Sequence, residues 1–342
     1  MSQTVILTGI TGFIAKHITL ELLNQGYTVR GTLRSTRRAD EVRDAVRPLL
    51  NDGIDLDKQL TFVELDLTKD EGWENAMEGG DVLLHTASPF PIAQPKDENE
   101  LIRPAVDGTL RAMRSAKAAG IKRVVLTSSM AAVMNQALDN GKSVYDHTDW
   151  TDTTLDYVSP YDKSKTLAEK AAWDFVTEQA PDMQLTTINP GLVLGPALDE
   201  HFGSSLQIVE RVLKAKDPAV PNFWLPAADV RDVAFMHVAA ISSDESIGKR
   251  CLAAVEPLNF QNIAQILSDA YPDRKIPTRM APKWLLAILR YFDAEVKAVY
   301  PLLGVKRGAD TSVSREVLGI EFKPIKESVL MAAQSVLKYK NM

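Results

Sequence analysis

Cysteine is almost absent: Cys251 stands alone among 342 residues, so no disulfide can form within the chain, and a disulfide-stapled scaffold is excluded. No Asn-x-Ser/Thr sequon occurs, and no basic stretch followed by a cleavable apolar core opens the chain; both point to a reducing, cytoplasmic setting. No apolar run approaches the roughly 18 residues of a membrane span. The densest patch, Trp284 to Leu289, is interrupted at Arg290. Basic excess is missing too: 39 Lys and Arg stand against 45 Asp and Glu, and the net charge of -6 disfavours nucleic acid or an anionic membrane as a partner. The five histidines, His17, His85, His147, His201 and His237, are scattered without metal-ligand spacing, so no metal is expected.

What is present is an alternation. Thr4 to Thr8 is a β-branched run ending in glycine, and Ile14, Ile18, Leu22 and Leu23 then share one helical face. The runs Tyr27 to Leu33, Leu60 to Leu65, Asp81 to Thr86, Arg123 to Ser128 and Leu185 to Ile188 read as further strands with helices between most of them. Such a chain predicts an α/β fold of the Rossmann type, a doubly wound parallel sheet with right-handed crossovers. Pro and Gly cluster from Asn189 to Pro196, after which alternation stops. Residues 1–190 are therefore expected to form a dinucleotide-binding domain, to which 226–255 return. Residues 191–225 and 256–342 are expected to form a smaller, mainly helical substrate lobe, with helices near Ser204 to Ala215, Asn262 to Tyr271, Lys283 to Tyr291 and Ile325 to Leu337.

The string Thr8-Gly9-Ile10-Thr11-Gly12-Phe13-Ile14-Ala15 joins the first strand to the first helix. There, glycines let the backbone approach a phosphate, and the helix N-terminus supplies N–H donors and positive potential. An NAD-specific site would place Asp or Glu near the end of the second strand; none occurs from Thr28 to Ala39, and Arg30, Arg34, Arg37 and Arg38 occupy that stretch instead. Guanidinium groups suit a 2′-phosphate, which points to NADP(H), with Arg34 first and either Arg37 or Arg38 assisting. Asp66, closing the third strand, is placed either to accept from an adenine amino group or to cap a helix.

Tyr161 and Lys165 are one helical turn apart and share a face. A neighbouring ammonium lowers a phenol pKa, which suits the tyrosine to give a proton to a carbonyl oxygen as hydride arrives. Tyr271 and Lys275 repeat the spacing, but Pro272 lies between them and marks that pair as a decoy. The strand ending Leu126-Thr127-Ser128-Ser129 lies upstream, at the sheet edge where ligands bind, and either serine could face a substrate carbonyl.

Together these residues resemble the extended short-chain dehydrogenases/reductases. Leu84 to Phe90, Arg123 to Ser129, Tyr161 to Trp173, Asn189 to Pro196, Asp229 to Val233 and Leu318 to Phe322 are similar to the dihydroflavonol reductase-like branch, which includes cinnamoyl-CoA reductases and microbial methylglyoxal, aldehyde and ketone reductases. The resemblance implies NADPH-dependent reduction of a small-molecule carbonyl by a catalytic triad of Ser129, Tyr161 and Lys165. It implies cofactor contacts at Thr8, Gly9, Thr11, Gly12, Phe13, Ile14, Arg34, Arg38, Asp66, Leu67, Thr86, Ala87 and Ser88, at Tyr161 and Lys165, and at the turn carrying Pro190, Leu192 and Val193. Pro104 to Gly108 lacks the Asn that some relatives carry, so a triad rather than a tetrad is expected. Met134 stands where flavonoid reductases carry a polar Asn, which argues against a flavonoid substrate.

Phe90, Met130, Val133 and Met134 are expected to line the sheet side of the substrate pocket, with Phe202 and Trp224 from the lobe. Such a pocket suits aldehydes, ketones or keto esters, handled by a monomer or homodimer. A nucleotide-sugar epimerase or dehydratase shares fold and triad but needs cationic side chains for a diphosphate. A non-catalytic NADP-binding sensor would need none of the three triad residues.

Overall fold

Val5, Ile6 and Leu7 have no solvent exposure, as a parallel strand covered on both faces requires. They belong to β1 (Thr4–Thr8), the centre of a seven-stranded parallel sheet in a computed structural model that describes residues 2–89, 97–137, 142, 144–293, 296–297 and 300–342. The strands of this sheet are β1, β2 (Thr28–Leu33), β3 (Leu60–Glu64), β4 (Val82–His85), β5 (Arg123–Thr127), β6 (Gln184–Pro190) and β9 (Arg250–Ala253), with β7 (Leu192–Leu194) and β8 (Trp224–Asp229) intervening in the chain. Their order is β3-β2-β1-β4-β5-β6-β9, and every pairing is parallel. Strand order reverses between β1 and β4, which is where a doubly wound sheet opens a crevice for ligands.

Helices α1 (Phe13–Asn24), α2 (Ala39–Val46), α3 (Leu56–Gln59), α4 (Trp73–Met77), α5 (Asn99–Ala118) and α6 (Pro160–Gln179) connect the strands, and α8 (Val230–Ser242) follows α7 (Ser204–Leu213). One core packs Ile18, Leu22, Val42, Val233 and Met236 on one sheet face; a second packs Trp73, Met113 and Phe175 on the other. β9 pairs in register with β6, Thr187 to Pro190 lying beside Arg250 to Ala253, so this later strand extends the sheet.

The rest of the C-terminal part holds β10 (Pro257–Asn259), α9 (Phe260–Ala270), α10 (Lys283–Leu289), α11 (Ser312–Leu318) and α12 (Ile325–Tyr339). Its own core joins Leu206, Val209, Ile263, Leu267, Val329 and Val336. Two features differ from the expectation. A small sheet, β10-β8-β7, accompanies the helices; its strands are too short and too rich in Pro, Ala and Gly neighbours to display an alternating pattern. Leu318 and Ile320 pack into the first core with α8 rather than into the lobe, although they lie within 256–342. Among the described residues, no helix is long and apolar enough to cross a membrane.

Candidate active site

The turn after β1 is shaped by Gly9 and Gly12. Gly9 has φ +69°, and a Cβ there would lie 3.0 Å from the Ala87 Cα at the end of β4. Gly12 caps α1 without a side chain, and the first turn of α1 carries no acidic residue, so its N–H groups face the crevice with their positive potential undiminished. A cavity of about 390 Å³ opens there, lined by Gly9, Thr11, Gly12, Arg34, Asp66, Leu67, Thr86, Ala87 and Ser88 among others. Nine residues expected to touch a dinucleotide thus share one cavity, and the cradle would not admit a side chain at Gly9; both features fit a pyrophosphate-containing cofactor.

The arginines are sorted by their partners. Arg34 is exposed and lines the cavity, whereas Arg38 donates to Glu41 at 2.8 and 3.0 Å. Arg30 is turned away and donates to the carbonyls of Ala76 and Glu78 at the end of α4. Asp66 does not cap a helix: its Oδ1 accepts from Thr68 N at 2.9 Å and Thr68 Oγ1 at 2.8 Å, which holds its carboxyl below the usual range. Leu67 packs against α5 where a Cβ on Gly108 would come within 2.4 Å of its Cγ. Thr8 corrects the expectation of a cofactor contact. It is fully buried, its Oγ1 lies 2.8 Å from His85 Nδ1 and accepts from the N–H groups of Thr86 and Ala87 at 3.1 Å, so it ties β1 to β4. Phe13 and Ile14 are half-buried against the first core, with Phe13 edge-on to His17. Pro190 and Val193 are buried, while Leu192 is half-buried at the start of β7.

The second half of the site is set by a capping box. Ser159 Oγ accepts from Asp162 N at 3.1 Å and Asp162 Oδ2 accepts from Ser159 N at 3.2 Å, with Pro160 in the first turn, so α6 starts where Tyr161 and Lys165 share its inner face. The Ser129 hydroxyl stands near Tyr161 and acts to lower its phenol pKa. Ser129 is extended, accepts from Ala131 N at 3.1 Å, and lies 3.4 Å from the Pro190 carbonyl. Ser128 faces the opposite way and donates to Glu169 at 2.5 Å, which separates two serines that the residue pattern alone leaves equivalent. Tyr271 and Lys275 bear out the decoy reading: Tyr271 ends α9, a short 3₁₀ turn follows, and Lys275 has φ +51°.

The electrostatics depart from the expected one-way influence of lysine on phenol. Burial dominates and pushes Tyr161 up to about 12, with the Ser129 hydroxyl as the opposing influence. Burial also pulls Lys165 down to about 8, opposed by the charge of Glu169. Lys165 and Glu169 border one small cavity with Ala87, Ser88 and Ser128.

The expected substrate wall is only partly exposed. Met130 and Val133 are fully buried and Met134 is 8 % exposed; together with Tyr145, Leu252 and Ala254 they form a compact apolar cluster, so the first two support the wall from behind. Phe202 is packed in the lobe core with the Lys340 ammonium 5.2 Å from its ring. Trp224 is half-buried, donates to Asn222 Oδ1 at 2.9 Å, and has the Lys306 ammonium 4.8 Å from its ring. Phe90 lies outside the described residues. Not anticipated from the sequence was Glu169, 1 % exposed, which accepts hydrogen bonds from Asn189 and Arg250 as well as Ser128; its one signal was the four-residue spacing from Lys165.

Comparison with known proteins agrees with this geometry. The NADPH-dependent methylglyoxal reductase of Saccharomyces cerevisiae is 31 % identical over 360 residues, spanning 98 % of this chain and 99 % of that protein. The ketoreductase azaE of Aspergillus niger is 33 % identical over 361 residues, spanning 99 % and 98 %. The crystal structure of yeast methylglyoxal/isovaleraldehyde reductase complexed with NADPH superposes with a TM-score of 0.81 at 29 % identity, covering 99 % of both chains. The family model for NAD dependent epimerases and dehydratases matches residues 5–251. With a glycine cradle after β1 and a match that runs into β9, the chain belongs to the NAD dependent epimerase/dehydratase family, a branch of the extended short-chain dehydrogenases/reductases.

Proposed function

We propose that the chain is an NADPH-dependent reductase of aldehydes and ketones, with Ser129, Tyr161 and Lys165 as its catalytic residues. The observation that carries this is the Ser129 hydroxyl beside Tyr161, on a helix whose next inward turn bears Lys165, at the sheet edge shared with the Gly9 cradle. Residues 1–190 with 226–255 hold the cofactor, and 191–225 with 256–342, apart from Leu318 and Ile320, form the substrate lobe. Arg34 and Asp66 face the adenosine end of the crevice, and the backbone from Gly9 to Ile14 faces the pyrophosphate.

NADPH, when bound, supplies the hydride. Ser129 holds the carbonyl oxygen, and Tyr161 gives it a proton. With its pKa raised to about 12, Tyr161 stays protonated at neutral pH and is therefore loaded as a donor. Lys165, near 8, is charged at that pH and stabilises the phenolate left behind. Its ammonium also suits a ribose hydroxyl, and the apolar cluster around Met134 favours carbonyls without an anionic group.

The test is NADPH oxidation, followed by absorbance, against aldehydes, diketones, aryl ketones and keto esters, with NADH in parallel. Turnover with NADPH on apolar carbonyls is expected. Turnover of a nucleotide-sugar in place of every carbonyl, or NADPH binding with no turnover at all, would contradict it.

A further inference from the structure

Glu169 lies one helical turn beyond Lys165 and gathers donors from three strands. Ser128 Oγ of the β5 end donates at 2.5 Å, Asn189 Nδ2 of β6 at 2.8 Å, and Arg250 of β9 through Nε at 2.7 Å and Nη2 at 3.3 Å. Thr187 Oγ1 lies at 3.1 Å and Trp173 Nε1 at 3.3 Å. Asn189 Nδ2 also reaches the Ser129 carbonyl at 3.3 Å. Arg250 is itself held by the carbonyls of His147 and Asp149 and by the Trp150 ring, 3.7 Å from its guanidinium carbon.

Burying an ion pair is costly, and well-packed apolar side chains would join helix to sheet at least as firmly. This pair occupies the point where the helix face bearing Tyr161 and Lys165 meets the strand ends bearing Ser129. We infer that Glu169 is a positioning residue for proton transfer: its carboxylate fixes α6 against Ser128, Ser129 and Asn189 and stands one turn from the Lys165 ammonium. The inference rests on the Ser-Tyr-Lys reading above.

The groups facing Lys165 are Tyr161 and Glu169 from its own helix, His85 from β4, and Arg250 from β9 on the far side of Glu169. Burial holds His85 down at about 3, so it is neutral across the working range and cannot replace the carboxylate. Removing the charge of Glu169 leaves Lys165 with burial and the Arg250 cation, both of which favour loss of its proton.

The experiment is Glu169→Gln in the full chain, assayed across pH with saturating NADPH and an aldehyde the unaltered protein reduces. Expected are a kcat lower by about tenfold or more, as for slight misplacement of reacting groups, little change in KM, and an alkaline limb moved to lower pH by about one unit. NMR titration of the Lys165 side chain in the cofactor-free protein should show the same displacement without relying on turnover. Glu169→Asp keeps the charge on a shorter stem, so its limb should return while kcat stays low. Folded Glu169→Gln protein whose limb does not move overturns the inference, whether or not kcat falls. If Glu169→Gln does not fold, Glu169→Asp decides alone: low kcat with the limb in place supports it, and unaltered kcat overturns it. Tyr161→Phe, run alongside, separates the two readings. Full activity there removes the triad itself, whereas an inactive Tyr161→Phe beside an unaltered Glu169→Gln removes only the role of Glu169.

Discussion

Arg38 forks onto Glu41 at 2.8 and 3.0 Å, while Glu41 also pairs with the buried Lys16 at 2.6 Å. Of Arg34, Arg37 and Arg38, it is Arg34 that lines the cavity beside Asp66.

Arg34→Ala should therefore weaken NADPH by about 1.5 to 3 kcal/mol, the range for a hydrogen bond to a charged group. Affinity for NADH, which lacks the 2′-phosphate, should be nearly unchanged. Calorimetric titration with both cofactors checks the difference, and equal losses for the two would argue that Arg34 acts on the fold.

Gly9→Ala combines a left-handed backbone with a contact of 3.0 Å to the Ala87 Cα. It should cost about 1 to 3 kcal/mol of stability, the scale of local backbone strain. NADPH binding should suffer further, because the β4 end would be pushed outward. Denaturant unfolding and a cofactor titration measure the two effects separately.

Three buried histidines predict acid sensitivity. Burial lowers His17 and His237 to about 4 and His85 to about 3, from 6.5. Each native imidazole is used in its neutral form: His17 Nε2 donates to the Pro196 carbonyl at 2.8 Å, and His237 bridges the Val233 carbonyl and the Thr127 hydroxyl. Below pH 6.5 the unfolded chain takes up protons that the folded one refuses, so stability is full above that value and is lost as pH falls toward 4. Asp232, raised to about 6 by burial, acts in the opposite sense as pH falls from there toward 3.8. The melting temperature should fall between pH 6.5 and 4, and His237→Gln should flatten that fall.

The sheet was legible from its residues because buried parallel strands write continuous apolar runs rich in β-branched residues, as Val5 to Leu7 and Val124 to Leu126 do. The glycine turn was legible for a related reason: only a residue without Cβ can sit at Gly9 under Ala87. The small β10-β8-β7 sheet was not, since β7 and β10 are three residues long and β8 is broken by Pro226 in its middle. Nor was the choice between Ser128 and Ser129, which depends on a Glu169 brought in from another element. The free or paired state of each arginine was equally hidden, because Glu41 is close to Arg38 in sequence yet reveals its role only through Lys16 and the turn of α2. The depression of the Tyr161 phenol pKa was expected from Lys165 spacing alone; burial, which spacing does not report, raises that pKa instead.

The most direct measurement is steady-state turnover of Tyr161→Phe with NADPH and an aldehyde, together with its NADPH affinity. Removing one hydroxyl should leave cofactor binding close to that of the unaltered protein and reduce kcat by roughly 10² to 10⁴, the usual worth of general acid catalysis. A Tyr161→Phe protein that binds NADPH and turns over at the original rate would contradict the account.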